Sequence, residues 1–126
     1  MSKSRSEPDI DSTIAGDVSI VDSHRGVRKE PLLEQLRGPG SPRRLALLPT
    51  ETVIGRGTQS TIQIESALLS RRHVALRRSG PDVTLVDLDS QNGVYVNGVR
   101  VHSALLHEGD TVQVGDVVLV FHEAAP

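Results

Sequence analysis

Short runs of Val, Ile and Leu alternate with turn-forming residues between residues 44 and 123. Short runs rich in β-branched side chains and bounded by Gly, Asp, Asn and Ser are typical of strands. The pattern predicts nine strands, at Arg44–Leu48, Glu51–Gly55, Ile62–Ile64, Val74–Arg78, Val83–Asp87, Val94–Val96, Val99–Val101, Thr111–Val114 and Val117–His122. Many short strands at this spacing favour a β-sandwich or a β-barrel.

The pair Asn97-Gly98 separates two of these strands and predicts a tight hairpin. Asn and Gly both tolerate the positive φ that a type I′ turn requires. Two later turns are indicated at residues 108–110 and at Gly115-Asp116, and the second of them predicts another tight hairpin.

Residues 1–43 differ from the rest, because they are polar, mixed in charge and rich in Ser, Gly, Asp and Arg. Such a segment buries too little apolar surface to offset its loss of chain entropy, so we expect a mostly disordered tail. Pro31 suits the start of a short helix over residues 31–37, and residues 38–42 have the composition of a linker. The predicted organisation is a tail over 1–43, a domain over 44–123, and the start of a linker or C-terminal tail over 124–126.

Composition narrows the class of protein. Hydrophobic residues make up 37% of the chain and aromatic residues only 2%, so the core is expected to consist of Val, Leu and Ile. The absence of Cys excludes a disulfide framework, a thiolate nucleophile and a Cys-based zinc site, and it fits a cytoplasmic location. No apolar run approaches the roughly 18–20 residues that span a bilayer, and no secretory signal is expected. The net charge of −2 does not favour nucleic acid as a partner.

The polar residues do not form a recognisable catalytic centre. Gly55-Arg56-Gly57 lacks the further glycines and the Lys of a nucleotide-binding loop, and the histidines lack metal-ligand spacing. Asp87 and Asp89 fall in a predicted turn, which they are expected to shape. We therefore expect no enzyme activity, no metal site and no cofactor.

Three polar clusters lie in loops between the predicted strands: residues 55–56, 70–73 and 89–93. Together they supply guanidinium groups, a hydroxyl and a carboxamide. Such donors suit a phosphate group and the peptide backbone next to it. The clusters therefore predict a phosphopeptide-binding module.

Taken in order, Gly55-Arg56, the Ser70-x-x-His73 element and Asn92-Gly93 followed by a second Asn-Gly pair resemble the forkhead-associated (FHA) domain over about residues 44–123. The resemblance implies an all-β fold, a twisted β-sandwich of about eleven short strands. It also implies a signalling module whose loops at one end bind phosphothreonine in partner proteins, downstream of a Ser/Thr kinase.

By this resemblance, Arg56 and Ser70 contact the phosphate and Arg71 supplies a second phosphate contact. Asn92 would hydrogen-bond the peptide backbone beside the phosphothreonine. Arg72 alternates with Arg71 and fits a solvent-exposed position equally well.

The resemblance gives structural roles to Gly55, His73 and Gly93, of which His73 would hold the binding loops in place. Leu68 lies where some members of the family carry a charge that contacts the peptide. An apolar side chain at this position indicates a preference for an apolar peptide residue.

Thr13 is the only Thr before Thr50, and it lies in an acidic and apolar stretch accessible to a kinase. A flexible linker of some thirty residues has a mean span of roughly 30 Å, enough to reach the binding loops. Phosphorylated Thr13 would then bind its own domain in cis or a second molecule in trans. The alternative is a passive leader that is never modified.

A second interpretation of the domain stays open: a phosphate-independent structural FHA scaffold within a larger signalling protein. Examples are a bacterial cyclic-dinucleotide synthase or a secretion regulator. The joint presence of Arg56, Ser70 and Asn92 favours phosphopeptide binding.

Overall fold

The structure is a computed structural model and describes residues 30–124, which contain eleven strands and no helix. The strands are β1 (Leu32–Arg37), β2 (Arg43–Ala46), β3 (Glu51–Gly55), β4 (Ile62–Gln63), β5 (Val74–Ser79), β6 (Asp82–Asp87), β7 (Val94–Val96), β8 (Val99–Arg100), β9 (Ser103–Leu105), β10 (Thr111–Val114) and β11 (Val117–His122). The predicted all-β fold is confirmed.

The strands form two sheets. One has six strands in the order β2-β1-β11-β10-β7-β8, and the other has five in the order β4-β3-β5-β6-β9. Every pairing is antiparallel except the short parallel contact between β3 and β4. The expected sandwich of about eleven short strands is thus the observed architecture.

The first strand corrects two predictions about the N-terminal part. Residues 32–37 form β1 and not a short helix, because their backbone pairs with β11 on one side and β2 on the other. Leu33 and Gln35 are completely buried in this position. The sandwich therefore includes residues 32–43, and the predicted boundary at residue 44 is wrong.

The segment predicted as a linker, residues 38–42, is the turn between β1 and β2. The buried Gln35 side chain donates to the carbonyls of Arg37 (3.1 Å) and Pro39 (2.9 Å) and accepts from Arg43 Nε at 2.7 Å. These bonds fix the turn as part of the domain.

The nine predicted strands all overlap observed ones, and β1 and β9 are the two strands that the pattern did not reveal. Asn97 and Gly98 have φ of 51° and 84°, as the predicted hairpin requires. The predicted tail before residue 30, including Thr13, lies outside the described residues. Within residues 30–124, no helix is long and apolar enough to cross a membrane.

The core lies between the two sheets and is almost purely aliphatic. Within residues 30–124, Phe121 is the one aromatic member of the hydrophobic cluster, and buried Val, Leu and Ile from both sheets surround it. Each fully buried side chain of this size contributes roughly 1.5–3 kcal/mol relative to an exposed one. The core thus supplies a rigid base for the loops at its ends.

Candidate functional site

Strand register brings the polar loops together at one end of strands β3, β5 and β6 in the five-stranded sheet. Ile54 at the end of β3 lies opposite Val74 at the start of β5, which in turn lies opposite Asp87 at the end of β6. The His73 backbone extends this end, because its N–H donates to Ile54 O at 2.9 Å and its carbonyl accepts from Leu88 N at 3.0 Å. The loops over 56–61, 64–73 and 88–93 therefore meet.

Gly55 allows the first two loops to approach each other. A Cβ at this position would lie 2.1 Å from the Arg71 carbonyl oxygen, so no larger residue fits without moving the backbone. Beyond it, Arg56 N donates to Ser70 O and Gly57 N donates to Arg71 O, both at 2.9 Å. These bonds hold Arg56 beside Ser70 and Arg71.

The Arg56 side chain is exposed but anchored at one atom. Its Nε donates to the Leu69 carbonyl at 3.0 Å. This bond orients the guanidinium plane and leaves the two terminal amino groups free of protein partners among the described residues. These two amino groups can donate hydrogen bonds to two oxygens of the same anion.

Ser70 is half-buried, and its hydroxyl oxygen accepts a hydrogen bond from Gln91 N at 3.0 Å. Because a hydroxyl has one proton to donate, that proton stays available for an outside acceptor. The same bond joins the loop that carries Ser70 to the loop that carries Asn92.

Asn92 is exposed, and its side-chain amide donates to Leu68 O at 2.7 Å. The bond leaves the carboxamide oxygen and one N–H for another partner. Asn92 therefore presents both an acceptor and a donor to solvent, which matches the two polar groups of a peptide backbone.

His73 is completely buried behind these side chains. Its Nδ1 accepts from Ser70 N at 3.0 Å, so its Nε2 carries the proton that is donated to Gly93 O at 2.8 Å. One ring thus joins two loops that are twenty residues apart. The geometry leaves His73 without access to an outside ligand.

The loop that carries Asn92 turns back into β7 at Gly93, which has a φ of 83° that favours glycine. A Cβ here would lie 2.7 Å from Arg100 Nε. Gly93 N also donates to the buried Ser90 hydroxyl at 3.0 Å, and Ser90 N donates to Asp87 Oδ1 at 2.9 Å. As predicted, Asp87 shapes this turn.

Arg71 and Arg72 are both exposed, and neither side chain has an ion pair or hydrogen bond with another part of the chain that the structure describes. The Arg71 backbone is well fixed, however, since its carbonyl accepts from Gly57 N at 2.9 Å and Ser60 Oγ at 2.7 Å. Arg56, Arg71 and Arg72 thus place three exposed Arg residues on two adjacent loops.

Comparison with known families decides the identity of the fold. The family model of the FHA domain matches residues 52–115. The chain belongs to the FHA domain family. The family assignment agrees with the predicted resemblance.

Two curated proteins are similar to this chain in sequence. Glycogen accumulation regulator GarA of Mycolicibacterium smegmatis is 42% identical over 90 residues, which cover 71% of this chain and 57% of the relative. The oxoglutarate dehydrogenase inhibitor of Corynebacterium jeikeium is 40% identical over 90 residues, which cover 71% of this chain and 62% of the relative. This chain therefore spans about three fifths of the length of both relatives.

Among solved structures, one from a structural and functional analysis of phosphothreonine-dependent FHA domain interactions is similar, with a TM-score of 0.69. It is 30% identical in sequence, and the match covers 75% of this chain and 96% of that chain. The likeness thus extends over nearly the whole of the other domain.

Several residues that stabilise the FHA loops were not evident from sequence. The Ser66 hydroxyl donates to the Asp116 carboxylate and accepts from Leu68 N at 3.2 Å. Gly115 lies against Leu68, since a Cβ on it would come within 2.9 Å of Leu68 Cβ. Ser60 is a further example, because its bond to Arg71 arises only when two loops meet. No local pattern marks such partners.

Leu68 itself is 49% exposed beside Asn92, so its side chain is accessible to a ligand. The apolar peptide preference that it indicates stays a prediction.

A polar cavity of about 290 Å³ is lined by Asp87, Asp89, Ser90, Arg100, Val101 and His102. Among residues 30–124, no group of His, Asp and Glu side chains is arranged to hold a metal ion.

Proposed function

We propose that this FHA domain binds phosphothreonine in partner proteins through Arg56, Ser70, Arg71 and Asn92. One observation carries the proposal: Arg56, Ser70 and Asn92 each use one polar atom to bond the protein backbone. The remaining polar atoms are thereby aimed outward from three loops that the fold holds together. The donors are therefore in place before a ligand arrives, which lowers the entropy cost of binding.

In the proposed complex, the terminal amino groups of Arg56 take two phosphate oxygens and the Ser70 hydroxyl donates to the third. Arg71 adds a second positive charge, and Asn92 bonds the backbone beside the phosphothreonine. Hydrogen bonds to a charged group contribute about 1.5–3 kcal/mol each. After the cost of association, roughly −7 to −9 kcal/mol remains, which corresponds to a micromolar dissociation constant.

Similarity to other FHA proteins supports the phosphate-dependent function over the scaffold alternative. The solved structure described above belongs to a study of phosphothreonine-dependent interactions. The two curated relatives are named as a regulator and as an inhibitor of an enzyme. We therefore infer a non-enzymatic, cytoplasmic regulator whose partners are phosphorylated by a Ser/Thr kinase.

Calorimetric titration with phosphorylated and unphosphorylated versions of one threonine peptide tests this function. We expect micromolar affinity for the phosphorylated peptide and none measurable for the other. Arg56→Ala should weaken binding by about 30-fold or more, because the phosphate loses a charged partner. Arg77→Ala is the matched control, since Arg77 is exposed and pairs with Glu51 at the opposite end of β3. Equal affinity for both peptides would instead support the phosphate-independent scaffold.

A finer proposal concerns Thr13, which lies outside the described residues. Phosphorylated Thr13 would bind Arg56 and Ser70 of its own chain, or those of a second molecule. Tethering gives an effective concentration approaching the millimolar range, above a micromolar dissociation constant. The proposal rests on the sequence, in which Thr13 is the only Thr before Thr50 and has acidic and apolar neighbours.

NMR of the full chain phosphorylated at Thr13 tests self-recognition, with Thr13→Val as the control. We expect shifted resonances for Arg56, Ser70 and Asn92. Shifts that depend on protein concentration indicate binding in trans. Shifts that are independent of protein concentration indicate binding in cis. Resonances identical to those of Thr13→Val would exclude self-recognition.

A further inference from the structure

A second threonine, Thr58, lies at the tip of the loop between β3 and β4. The tip is a turn closed by Ser60 N donating to Gly57 O at 3.1 Å, and both residues between them are exposed. The Thr58 hydroxyl makes no hydrogen bond within residues 30–124. In contrast, the hydroxyl oxygens of Thr52 and Thr61 accept bonds from backbone N–H groups at 2.8 and 3.1 Å.

This turn is fixed against the proposed binding site. Gly57 N and Ser60 Oγ both donate to the Arg71 carbonyl, at 2.9 and 2.7 Å. A Cβ on Gly57 would lie 3.2 Å from Arg71 Cβ, so the residue before Thr58 packs directly on Arg71. Thr58 also follows Arg56 by two positions, which limits the distance between their Cα atoms to about 7 Å. A group attached to Thr58 is therefore within reach of both guanidinium groups.

We propose that Thr58 is a phosphorylation site and that its phosphate closes the peptide-binding site. In this step Thr58 Oγ attacks the γ-phosphorus of ATP bound to a Ser/Thr kinase, forming the new O–P bond. The bond from that phosphorus to the bridging oxygen breaks, ADP leaves, and the hydroxyl proton passes to a base of the kinase. The inference rests on the proposed function, because it concerns the same arginines.

Two physical effects act in the same direction once Thr58 carries phosphate. The new group has a charge of about −1.5 to −2 and forms charge-assisted hydrogen bonds with nearby Arg side chains, which occupies Arg56 and Arg71. It also repels an incoming phosphate. For two dianions about 8 Å apart in water, the repulsion alone lowers affinity about 4-fold after screening by salt.

The full chain carrying phosphothreonine at position 58 tests the closure directly. The probe is a degenerate peptide pool with one fixed phosphothreonine, and affinity is measured by fluorescence anisotropy. We expect at least ~10-fold weaker binding for the phosphorylated chain and about 3-fold weaker binding for Thr58→Glu, which adds a single charge. Thr58→Val should bind like wild type.

Thr50→Glu is the matched control for added charge. Thr50 is exposed and precedes β3 at the end of the strand opposite Arg56, about 20 Å away. The Thr50→Glu change should therefore leave the affinity for the peptide pool unchanged. Thermal melting of each variant separates a loss of binding from a loss of folding.

The outcomes for the two proposals are distinct. If wild type does not bind the phosphothreonine pool, the proposed function fails. If wild type binds but the phosphorylated chain binds within twofold of it, closure by Thr58 is wrong and the proposed function stands.

Mass spectrometry of the chain isolated from its native cells tests the modification itself. Trypsin cleaves after Arg56 and Arg71 and releases residues 57–71 as one peptide. Fragment ions should place phosphate on Thr58. Recovery of this peptide only in unmodified form, across growth conditions, would overturn the inference.

Discussion

His73 should be the residue on which both the stability and the binding geometry depend most, although it contacts no ligand. The His73→Ala change removes a buried ring that accepts from Ser70 N and donates to Gly93 O. Each backbone group left without a partner in the interior costs about 1–3 kcal/mol, and the cavity adds to this. We therefore expect the free energy of unfolding to fall by about 3–5 kcal/mol.

Urea denaturation followed by circular dichroism measures this difference. For a domain of this size, each 1 kcal/mol corresponds to about 4–8 °C in Tm, so Tm should fall by at least ~12 °C. His102→Ala is the control, because His102 is exposed and its backbone carbonyl alone makes a hydrogen bond within residues 30–124. The free energy of unfolding of His102→Ala should stay within about 0.5 kcal/mol of the wild-type value.

His73→Phe separates the hydrogen bonds from the packing, since it keeps the ring volume and removes both bonds. Phosphopeptide affinity should fall in each His73 variant even where the chain remains folded, because the loops carrying Ser70 and Asn92 are no longer joined. An unfolding free energy within 1 kcal/mol of wild type for His73→Ala would refute this reasoning.

Three further changes test how the site is held and what it binds. Gly55→Ala places a methyl group 2.1 Å from the Arg71 carbonyl oxygen, so urea denaturation should show a loss of about 2 kcal/mol or more, and unchanged stability would contradict this. Asp116→Ala removes the acceptor of the Ser66 hydroxyl, which supports Leu68. Calorimetry should show about threefold weaker peptide binding, restored by Asp116→Asn. Phosphothreonine should bind about fourfold more tightly than phosphoserine, because one buried methyl contributes about 0.8 kcal/mol, and matching dissociation constants would exclude such a methyl contact.

Local chemistry was sufficient to predict those parts of the fold that neighbouring residues decide. The positive φ of Asn97 and Gly98 follows from the residue types, because Asn tolerates this conformation and Gly has no Cβ to oppose it. The short β-branched runs around them form strands. The family resemblance also rested on local motifs, such as Gly55-Arg56. Such motifs can be recognised in a sequence because each loop conformation requires particular residue types.

Two strands depended on pairing and were not predicted. Residues 32–37 carry leucines whose spacing fits one face of a helix as well as a buried strand. Their backbone nevertheless forms β1, because β11 lies alongside with Leu33 opposite Phe121. The strand Ser103–Leu105 lacks β-branched residues, and it forms where the edge of β6 offers it partners. Long-range pairing overrides local preference in both segments.

The same division applies to the candidate site. The sequence alone determined which side chains it contains: the guanidinium of Arg56, the hydroxyl of Ser70 and the carboxamide of Asn92. Only the tertiary structure decided which of their atoms point outward, because each is bonded to backbone 13, 21 or 24 residues away. Such bonds depend on the register of β3, β5 and β6, which brings distant loops together at one end of these strands. No local pattern of residues specifies that register, since it is set by packing of the whole sandwich.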